Sequence, residues 1–245
     1  MVDLTVVMPV YNEEGAIAAV LGAWSAALAA LHIDYQIAVY NDGSKDGTLA
    51  VLNSIALDNQ RVAVVDKPNS GHGPTILQGY WDHLASPWIF QIDSDGELGP
   101  EKFAELWERR QHYDFLIGNR VQRDSPLPRK VMTWVSRYLV WLLYGRAIFD
   151  VNCPYRLFRP ASVGPYLKRI PSVTFAPNLV LAGLAALLRL RVYQTEVVHT
   201  DRQTGEVSIK RWKLLKAAYT SCLQTIRFRL TLLPLIGRLG DIGTG

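Results

Sequence analysis

Three acidic residues, Asp93, Asp95 and Glu97, are spaced two apart directly after a short apolar run. That run, Trp88 to Ile92, has the length and the β-branched and aromatic content of a buried strand. The acids therefore lie in the turn after a strand, and Gly96 allows that turn to be tight. Carboxylates that converge in one turn repel one another, which favours a hard cation such as Mg²⁺ or Mn²⁺ between them. A solvated acidic turn that ends a strand is the alternative interpretation.

Strands and helices alternate along the first half of the chain. Apolar runs predict strands at residues 4–8, 35–40, 61–66, 88–92 and 113–117. Helices are predicted at residues 16–31, from about residue 46, at 75–84 and at 100–112. This alternation favours an α/β fold with a parallel, doubly wound sheet. Such sheets bind ligands at the carboxyl ends of their strands.

A polar cluster follows each of these predicted strands. The clusters are Tyr11-Asn12-Glu13, Asn41-Asp42-Gly43-Ser44, Gly71-His72-Gly73, Asp93-Ser94-Asp95 and Gly118-Asn119-Arg120. Each cluster alone is explained by ordinary turn chemistry. Because all of them fall at one edge of the predicted sheet, together they indicate a binding site.

The composition is that of a globular protein with a mild excess of positive charge. The 245 residues are 49% hydrophobic and 20% charged, with a net charge of +4, and suit one large α/β domain or two small ones. Basic residues concentrate from Arg120 onward, which suits anionic partners. Cys153 and Cys222 lie far apart, so we expect no disulfide framework and a reducing compartment. We see no signal peptide and no apolar run long enough to span a membrane.

Three segments together resemble family 2 of the inverting glycosyltransferases. They are Pro9-Val10-Tyr11-Asn12-Glu13, Asn41 to Thr48, and Asp93-Ser94-Asp95. Within that family the chain is most similar to polyprenyl-phosphate glycosyltransferases of the dolichyl-phosphate mannose synthase type. The resemblance covers about the first 160 residues and, more loosely, Glu196 to Ser208. It implies the GT-A fold, a Rossmann-like α/β arrangement with a mostly parallel sheet flanked by helices.

The resemblance also implies roles for individual residues. The residues that would bind the nucleotide sugar are Pro9, Tyr11, Glu13, Asp42, Gly71, Asp93 and Ser94. The residues that would hold the Mg²⁺ or Mn²⁺ ion are Asp93, Asp95 and Glu97. His199 is either a further ligand near the metal or an ordinary loop histidine. At Asn41 the chain departs from the family, which commonly has an aspartate there.

The predicted catalytic residues are Asp95, Arg120, Arg202 and Asp150. Arg120 opens a basic loop that continues with Arg123, Arg129 and Lys130, and arginine suits bidentate contacts to phosphate. By resemblance, Arg202 would contact the donor diphosphate or the acceptor phosphate. Asp150 has two open interpretations. It is either the general base that a hydroxyl acceptor needs, or a structural residue of the acceptor loop.

Two segments indicate contact with a membrane surface. Residues 132–149 mix Trp, Tyr and Arg, which suits a membrane-interface helix as well as a core helix. Residues 210–233 predict a basic amphipathic helix. We therefore divide the chain into a catalytic domain, residues 1–209, and a C-terminal amphipathic helix and tail, residues 210–245. We expect a cytoplasmic protein that associates peripherally with the cytoplasmic face of a membrane.

The predicted function is metal-dependent, inverting transfer of a hexose from a nucleotide sugar, of the GDP-mannose or UDP-glucose type, to a polyprenyl or dolichyl phosphate. One alternative is a glycosyltransferase of the same fold that acts on a sugar hydroxyl, with Asp150 as base. Another is a non-catalytic nucleotide-binding membrane adaptor. Nucleic acid is not an expected partner, because no base-stacking platform accompanies the basic residues. The oligomeric state is left open.

Overall fold

The structure is a computed structural model that describes residues 2–121, 134, 138, 141–145, 148–200, 220 and 223–231. Its strands are β1 (Leu4–Val10), β2 (Tyr35–Asp42), β3 (Val62–Lys67), β4 (Trp88–Gln91), β5 (Phe115–Val121), β6 (Arg156–Phe158) and β7 (Val192–Val198). Its helices are α1 (Ile17–Ala30), α2 (Thr48–Asp58), α3 (His72–Asp82), α4 (Phe103–Arg109), α5 (Pro160–Leu167) and α6 (Pro177–Leu187). Residues 141–144 and 223–231 are also helical.

The strands form one mostly parallel sheet in the order β3-β2-β1-β4-β6-β5-β7. β1 pairs in parallel with β2 and β4, and β2 pairs in parallel with β3. β6 is antiparallel to both β4 and β5, whereas β5 and β7 are parallel. The predicted α/β class is therefore confirmed. β6 was not predicted, because a three-residue strand that contains an arginine carries no periodic signal.

Several predicted boundaries are wrong. β1 and β2 each extend two residues beyond their predicted ends, to Val10 and Asp42. Gly118, Asn119 and Arg120 lie inside β5 and not after it, because β7 supplies backbone partners along all seven residues of that strand. Helix α3 begins at His72, three residues earlier than predicted. Pro74 is compatible with the first turn of this helix, where its missing N–H would have no partner in any case.

Aromatic packing fixes α1 and α4 against β4. Trp24, Phe90, Phe103 and Tyr155 are each at most 1% exposed. The ring centroids of Trp24 and Phe90 are 5.2 Å apart, and those of Phe90 and Phe103 are 4.8 Å apart. Tilted and edge-to-face rings of this kind add to the stabilisation that burial provides. β4 is thereby held rigidly up to its carboxyl end, where the acids follow.

Helix α3 lies directly on the other side of β1. A Cβ atom on Gly79 would be 2.4 Å from Val7 Cγ1, so the helix approaches the strand as closely as glycine allows. Ten consecutive residues of α6, Pro177 to Ala186, are buried beyond it. This packing brings the first turn of α3 to the carboxyl edge of the sheet. Within the described ranges, no helix has both the length and the apolarity to cross a membrane.

Candidate active site

Residues 93–97, which contain Asp93, Asp95 and Glu97 and are called the acid turn below, follow β4 at the carboxyl edge of the sheet. Ile92 continues the pairing with β1 for one residue, since its N–H donates to the carbonyl oxygen of Val7 at 3.2 Å. Gly96 has a φ of 71°, the left-handed conformation that glycine adopts readily. The chain therefore reverses immediately after Asp93 and Asp95. The Asp93 side chain remains 27% exposed.

The Asp93 carboxylate contacts His72, the first residue of α3. His72 Nε2 lies 3.1 Å from Asp93 Oδ1. Burial alone would raise the pKa of Asp93, but the charge and hydrogen bond of His72, together with the charges of Arg120 and Arg156, hold this pKa below its usual value. Burial likewise lowers the pKa of His72, and the nearby carboxylates, Asp93 foremost, raise it above its usual value. Asp93 is therefore ionised at neutral pH, as a metal ligand must be.

The other acids of the turn have different contacts. The Glu97 N–H donates to Asp95 Oδ1 at 3.1 Å. Glu97 Oε2 lies 2.7 Å from His199 Nε2, and the Thr200 N–H donates to the Glu97 carbonyl oxygen at 3.0 Å. The segment that follows β7 is therefore attached to the acid turn. His199 contacts a carboxylate of the turn, and its two interpretations, a further ligand near the metal or an ordinary loop histidine, both stay predictions.

The acid turn fits a divalent ion that is bound together with a phosphate ligand. Among the residues that the structure describes, no three His, Cys, Asp or Glu side chains form a group that could hold a metal. Mg²⁺ is, however, commonly bound by one or two carboxylates, with substrate phosphates and water as its other ligands. Asp93 and Asp95 supply hard oxygen donors of this kind. The metal-binding roles of Asp93, Asp95 and Glu97 stay predictions.

The turns after β1 and β2 are joined by reciprocal hydrogen bonds. Asn12 has a φ of 55°. Its N–H donates to Ser44 Oγ at 3.0 Å, and its Oδ1 accepts the Lys45 N–H at 2.8 Å. The Glu13 N–H donates to Thr48 Oγ1 at 2.8 Å. Asparagine tolerates this left-handed conformation better than most residues do. The two turns therefore form one rigid unit.

The residues predicted to bind the nucleotide lie at the ends of β1 and β4. Pro9 is buried within β1. Glu13 and Ser94 are each 6% exposed, whereas Tyr11 is 41% exposed. The ring of Tyr11 is thus the accessible surface of this group. Contacts of these four residues with a nucleotide stay predictions.

The Asp42 carboxylate is hydrogen-bonded to groups of the protein itself. Its Oδ1 accepts the Ser70 N–H at 2.8 Å, and its Oδ2 accepts the Gly71 N–H at 2.8 Å. Lys67 Nζ also donates to Asp42 Oδ1. The carboxylate therefore holds the loop between β3 and α3, which includes Gly71 with a φ of 95°. The predicted contacts of Asp42 and Gly71 with the nucleotide stay predictions, and this internal role is an additional one.

Two polar residues at this edge, Asp66 and Lys67, were not predicted, and His72 was predicted only as part of the cluster Gly71-His72-Gly73, without its contact to Asp93. Asn41 Nδ2 donates to Asp66 Oδ1 at 2.7 Å, so the amide that replaces the family's aspartate has a carboxylate partner. The register of β2 and β3 places Asn41 opposite Asp66 and Asp42 opposite Lys67. Polar residues at the ends of two neighbouring strands were the signal that could have predicted these pairs.

The Arg120 guanidinium and the Asp150 carboxylate form a bidentate ion pair, called the fork below. Arg120 Nε lies 2.6 Å from Asp150 Oδ2, and Nη2 lies 3.0 Å from Oδ1. The arginine and aspartate side chains are 11% and 6% exposed. Burial lowers the pKa of Arg120, but the hydrogen bonds and charge of Asp150 raise it above its usual value. Arg120 thus remains a fixed cation.

Other predicted residues lie outside the part of the chain that the structure describes. These are Arg202 and the basic residues Arg123, Arg129 and Lys130. The boundary between the two predicted segments, residues 1–209 and 210–245, also lies there. Their roles and this division stay predictions.

Comparison with known proteins places the chain among glycosyltransferases. The sequence profile described as glycosyl transferase family 2 matches residues 5–165. An undecaprenyl-phosphate 4-deoxy-4-formamido-L-arabinose transferase from Erwinia tasmaniensis is 30% identical over 232 residues, which cover 93% of this chain and 70% of the relative. The enzyme of the same name from Photorhabdus laumondii is 28% identical over 232 residues, with 93% of this chain and 70% of the relative covered.

Solved structures share the fold. Mannosyl-3-phosphoglycerate synthase from Rubrobacter xylanophilus has a TM-score of 0.65 at 14% identity, with 97% of this chain and 75% of that chain covered. Glucosyl-3-phosphoglycerate synthase from Mycobacterium tuberculosis, in complex with Mn²⁺, UDP-glucose and phosphoglyceric acid, has a TM-score of 0.64 at 15% identity. This match covers 93% of this chain and 80% of that chain. At these identities the likeness shows the fold alone, and the predicted GT-A arrangement is confirmed.

The family profile covers more than half of the chain, and its matched residues include β1, β2, β4 and the acid turn. The expectation that the protein is a glycosyltransferase is therefore confirmed. The chain belongs to glycosyl transferase family 2.

Proposed function

We propose that the protein transfers a sugar, with inversion, from a nucleotide-sugar donor to a polyprenyl phosphate in a metal-dependent reaction. One observation carries the proposal: the acid turn after β4 and Arg120 near the carboxyl end of β5 lie at one edge of the sheet, and after His72 the charge of Arg120 also helps to lower the pKa of Asp93. Such an edge suits a metal-bound diphosphate beside a second anionic group. The family assignment sets the non-catalytic adaptor interpretation aside.

The protein's own residues divide the work of binding and charge stabilisation. Asp93 and Asp95 would hold the Mg²⁺ or Mn²⁺ ion, which supplies Lewis-acid stabilisation of the leaving diphosphate when it is bound. Arg120 would orient a phosphate group, with Arg202 as a second cation. The acceptor oxygen forms a bond to the anomeric carbon as the bond to the diphosphate breaks on the opposite face. A phosphate acceptor is already ionised at neutral pH, so this step needs no general base.

The proposal also specifies the class of nucleotide-sugar donor. A solved structure of the same fold contains Mn²⁺ and UDP-glucose, which supports a UDP-linked sugar. The names of the relatives specify an L-arabinose derivative, a pentose, whereas our sequence analysis favoured a hexose. We therefore propose a UDP-sugar donor, with GDP-mannose as the competing choice. Both hexoses and pentoses belong in the screen.

An exposed aromatic stripe supports contact with the membrane that contains the acceptor. Trp134, Tyr138 and Trp141 are 64%, 51% and 48% exposed, and neighbouring Leu142 is 65% exposed. The ring centroids of Trp134 and Tyr138 are 5.5 Å apart, and those of Tyr138 and Trp141 are 5.4 Å apart. Amphipathic rings of this kind favour the lipid headgroup region. A peripheral position on the cytoplasmic face of a membrane is part of the proposal.

The test is a transfer assay with Mn²⁺ that screens UDP- and GDP-sugars with and without a polyprenyl phosphate. We expect a glycolipid product that requires the lipid phosphate and disappears with EDTA. Asp95→Ala should lower the rate at least about 100-fold while the circular dichroism spectrum is unchanged. Asp58→Ala, at the exposed far end of α2, is the control and should retain full activity. Full activity in Asp95→Ala would reject the metal role, and transfer only to a sugar hydroxyl would reject the acceptor.

A further inference from the structure

We propose that Asp150 is a positioning residue that orients Arg120 toward the phosphate groups of the substrates, and that it is not a general base. The proposal rests on the proposed function, because Arg120 needs an anionic ligand on which to act. It also decides between the two interpretations of Asp150 that the sequence left open.

The fork determines the orientation of the guanidinium. A guanidinium is planar, and its N–H groups point in fixed directions. Because Nε and Nη2 both bind the Asp150 carboxylate, at 2.6 Å and 3.0 Å, the plane and rotation of the group are set. The edge that carries Nη1 then points away from Asp150. A bidentate pair with both side chains nearly buried holds this orientation far better than a single exposed contact does.

The same fork makes Asp150 a poor base. Each carboxylate oxygen already accepts a charge-assisted hydrogen bond, and an adjacent guanidinium stabilises the ionised form of a carboxyl group. A general base must also come within hydrogen-bond distance of the proton that it removes. Asp150 is only 6% exposed, so little of its carboxylate is accessible to an acceptor hydroxyl.

The chain segment that carries Asp150 is itself held rigidly by Arg156. This arginine is fully buried. Its Nη1 donates to the Asn178 carbonyl oxygen at 2.9 Å, and its Nε donates to the Cys153 carbonyl oxygen at 3.0 Å. Nη2 donates to the Val151 carbonyl oxygen at 3.2 Å. A positioning residue needs such support, because it can fix a partner only as well as it is fixed itself.

The strand that carries Arg120 approaches this segment closely. The Gly118 N–H donates to the Tyr155 carbonyl oxygen at 2.8 Å. A Cβ atom on Gly118 would lie 3.0 Å from Tyr155 Cβ and 2.8 Å from Val197 Cγ2, so glycine permits this approach. Two residues further along β5, Arg120 binds Asp150, and its charge helps to lower the pKa of Asp93.

The first measurement is the kinetics of Asp150→Asn with a polyprenyl phosphate as the varied substrate. Asn keeps the size of the side chain but loses the charge and one acceptor. We expect kcat/KM for the acceptor to fall about 10-fold to 100-fold, the usual effect of losing a hydrogen bond to a charged group. Asp114→Asn is the matched control. Asp114 forms a similar fork with Arg191, at 2.9 Å and 3.0 Å, at the opposite end of β5, and its loss should change kcat/KM less than about twofold.

A double-mutant cycle separates positioning from base catalysis. If Asp150 acts through Arg120, then Asp150→Asn should change the rate of an Arg120→Ala enzyme by no more than about threefold. A general base would lower that rate by a further factor of about 10² to 10⁴. Free guanidinium should partly restore Arg120→Ala, and should fail to restore the double variant. The acidic limb of the pH–rate profile should have the same shape in Asp150→Asn as in the wild type.

The outcomes distinguish this proposal from the proposed function. A wild-type enzyme that transfers no sugar to polyprenyl phosphate refutes both. A wild-type enzyme that does so, with additive effects in the cycle or with loss of the acidic limb in Asp150→Asn, refutes the positioning role alone. If Asp150→Asn does not fold, Arg120→Lys replaces it. Lysine keeps the charge without the fork, so activity within about threefold of wild type in that variant would overturn the proposal.

Discussion

Replacing Lys67 by methionine should destabilise the protein, because this lysine neutralises a buried carboxylate. Lys67 and Asp42 side chains are 11% and 5% exposed, respectively. Lys67 Nζ also contacts Ser70 Oγ at 2.7 Å and Thr75 Oγ1 at 3.1 Å. Methionine has a similar length and fills the space, but it leaves the Asp42 charge without its cation.

The expected loss of unfolding free energy depends on the hydrogen bonds that Asp42 keeps in the variant. Removing one partner of a buried ion pair typically costs about 3 to 5 kcal/mol. Asp42 keeps the two backbone donors of Ser70 and Gly71, each at 2.8 Å, which offset part of that cost. We therefore expect the free energy of unfolding to fall by about 2 to 4 kcal/mol. Donor affinity should fall as well, since the same network shapes the loop that leads into α3.

Urea denaturation with linear extrapolation measures the change. Lys102→Met is the matched control, because Lys102 pairs with Glu105 at 3.3 Å and the two side chains are 48% and 31% exposed. Exposed pairs of this type contribute up to about 1 kcal/mol. Equal losses in Lys67→Met and Lys102→Met would show that the buried pair with Asp42 has no special structural role.

Two further predictions concern the same edge of the sheet. Burial raises the pKa of Asp42, but Lys67 and the loop N–H groups more than compensate and hold this pKa below its usual 3.8. The ionised Asp42 carboxylate therefore stabilises the folded protein at pH values above about 4, and this stabilisation is lost as the pH falls through the folded-state pKa. The slope of unfolding free energy against pH below 4 should be smaller in Asp42→Asn, and an unchanged slope would contradict this assignment. Gly73→Ala should cost about 1 to 3 kcal/mol, because its Cβ would lie 2.4 Å from the Thr174 carbonyl oxygen and 2.5 Å from that of Phe175. Gly22→Ala, with no atom within 4 Å of the new methyl group, should instead stabilise α1 by up to about 1 kcal/mol, and thermal unfolding of both variants compares them; equal stabilities would refute the steric argument.

The fold was predictable because its signals are local. Short apolar runs and the helices between them predicted β1 to β4 and the parallel sheet, and the position of the acids after β4 followed from the end of an apolar run. The same reasoning ended β5 too early. Gly118 to Arg120 are polar or small, and they are strand residues because β7, 77 positions later, pairs with them. A window of neighbouring residues contains no information about such a partner.

The candidate site was likewise predictable only in part. The order of residue types along the chain was sufficient to predict that polar clusters gather at the carboxyl edge and that Asp93 and Asp95 lie there, since strand direction sets which ends meet. The pairing of Asp42 with Lys67 and of Arg120 with Asp150 could not be predicted from that order. These residues are 25 and 30 positions apart, and their contact depends on strand register and on the path of a loop. From the sequence, Asp150 could be a base or a structural residue. The positioning role proposed for it rests on the guanidinium that the fold places against both of its oxygens.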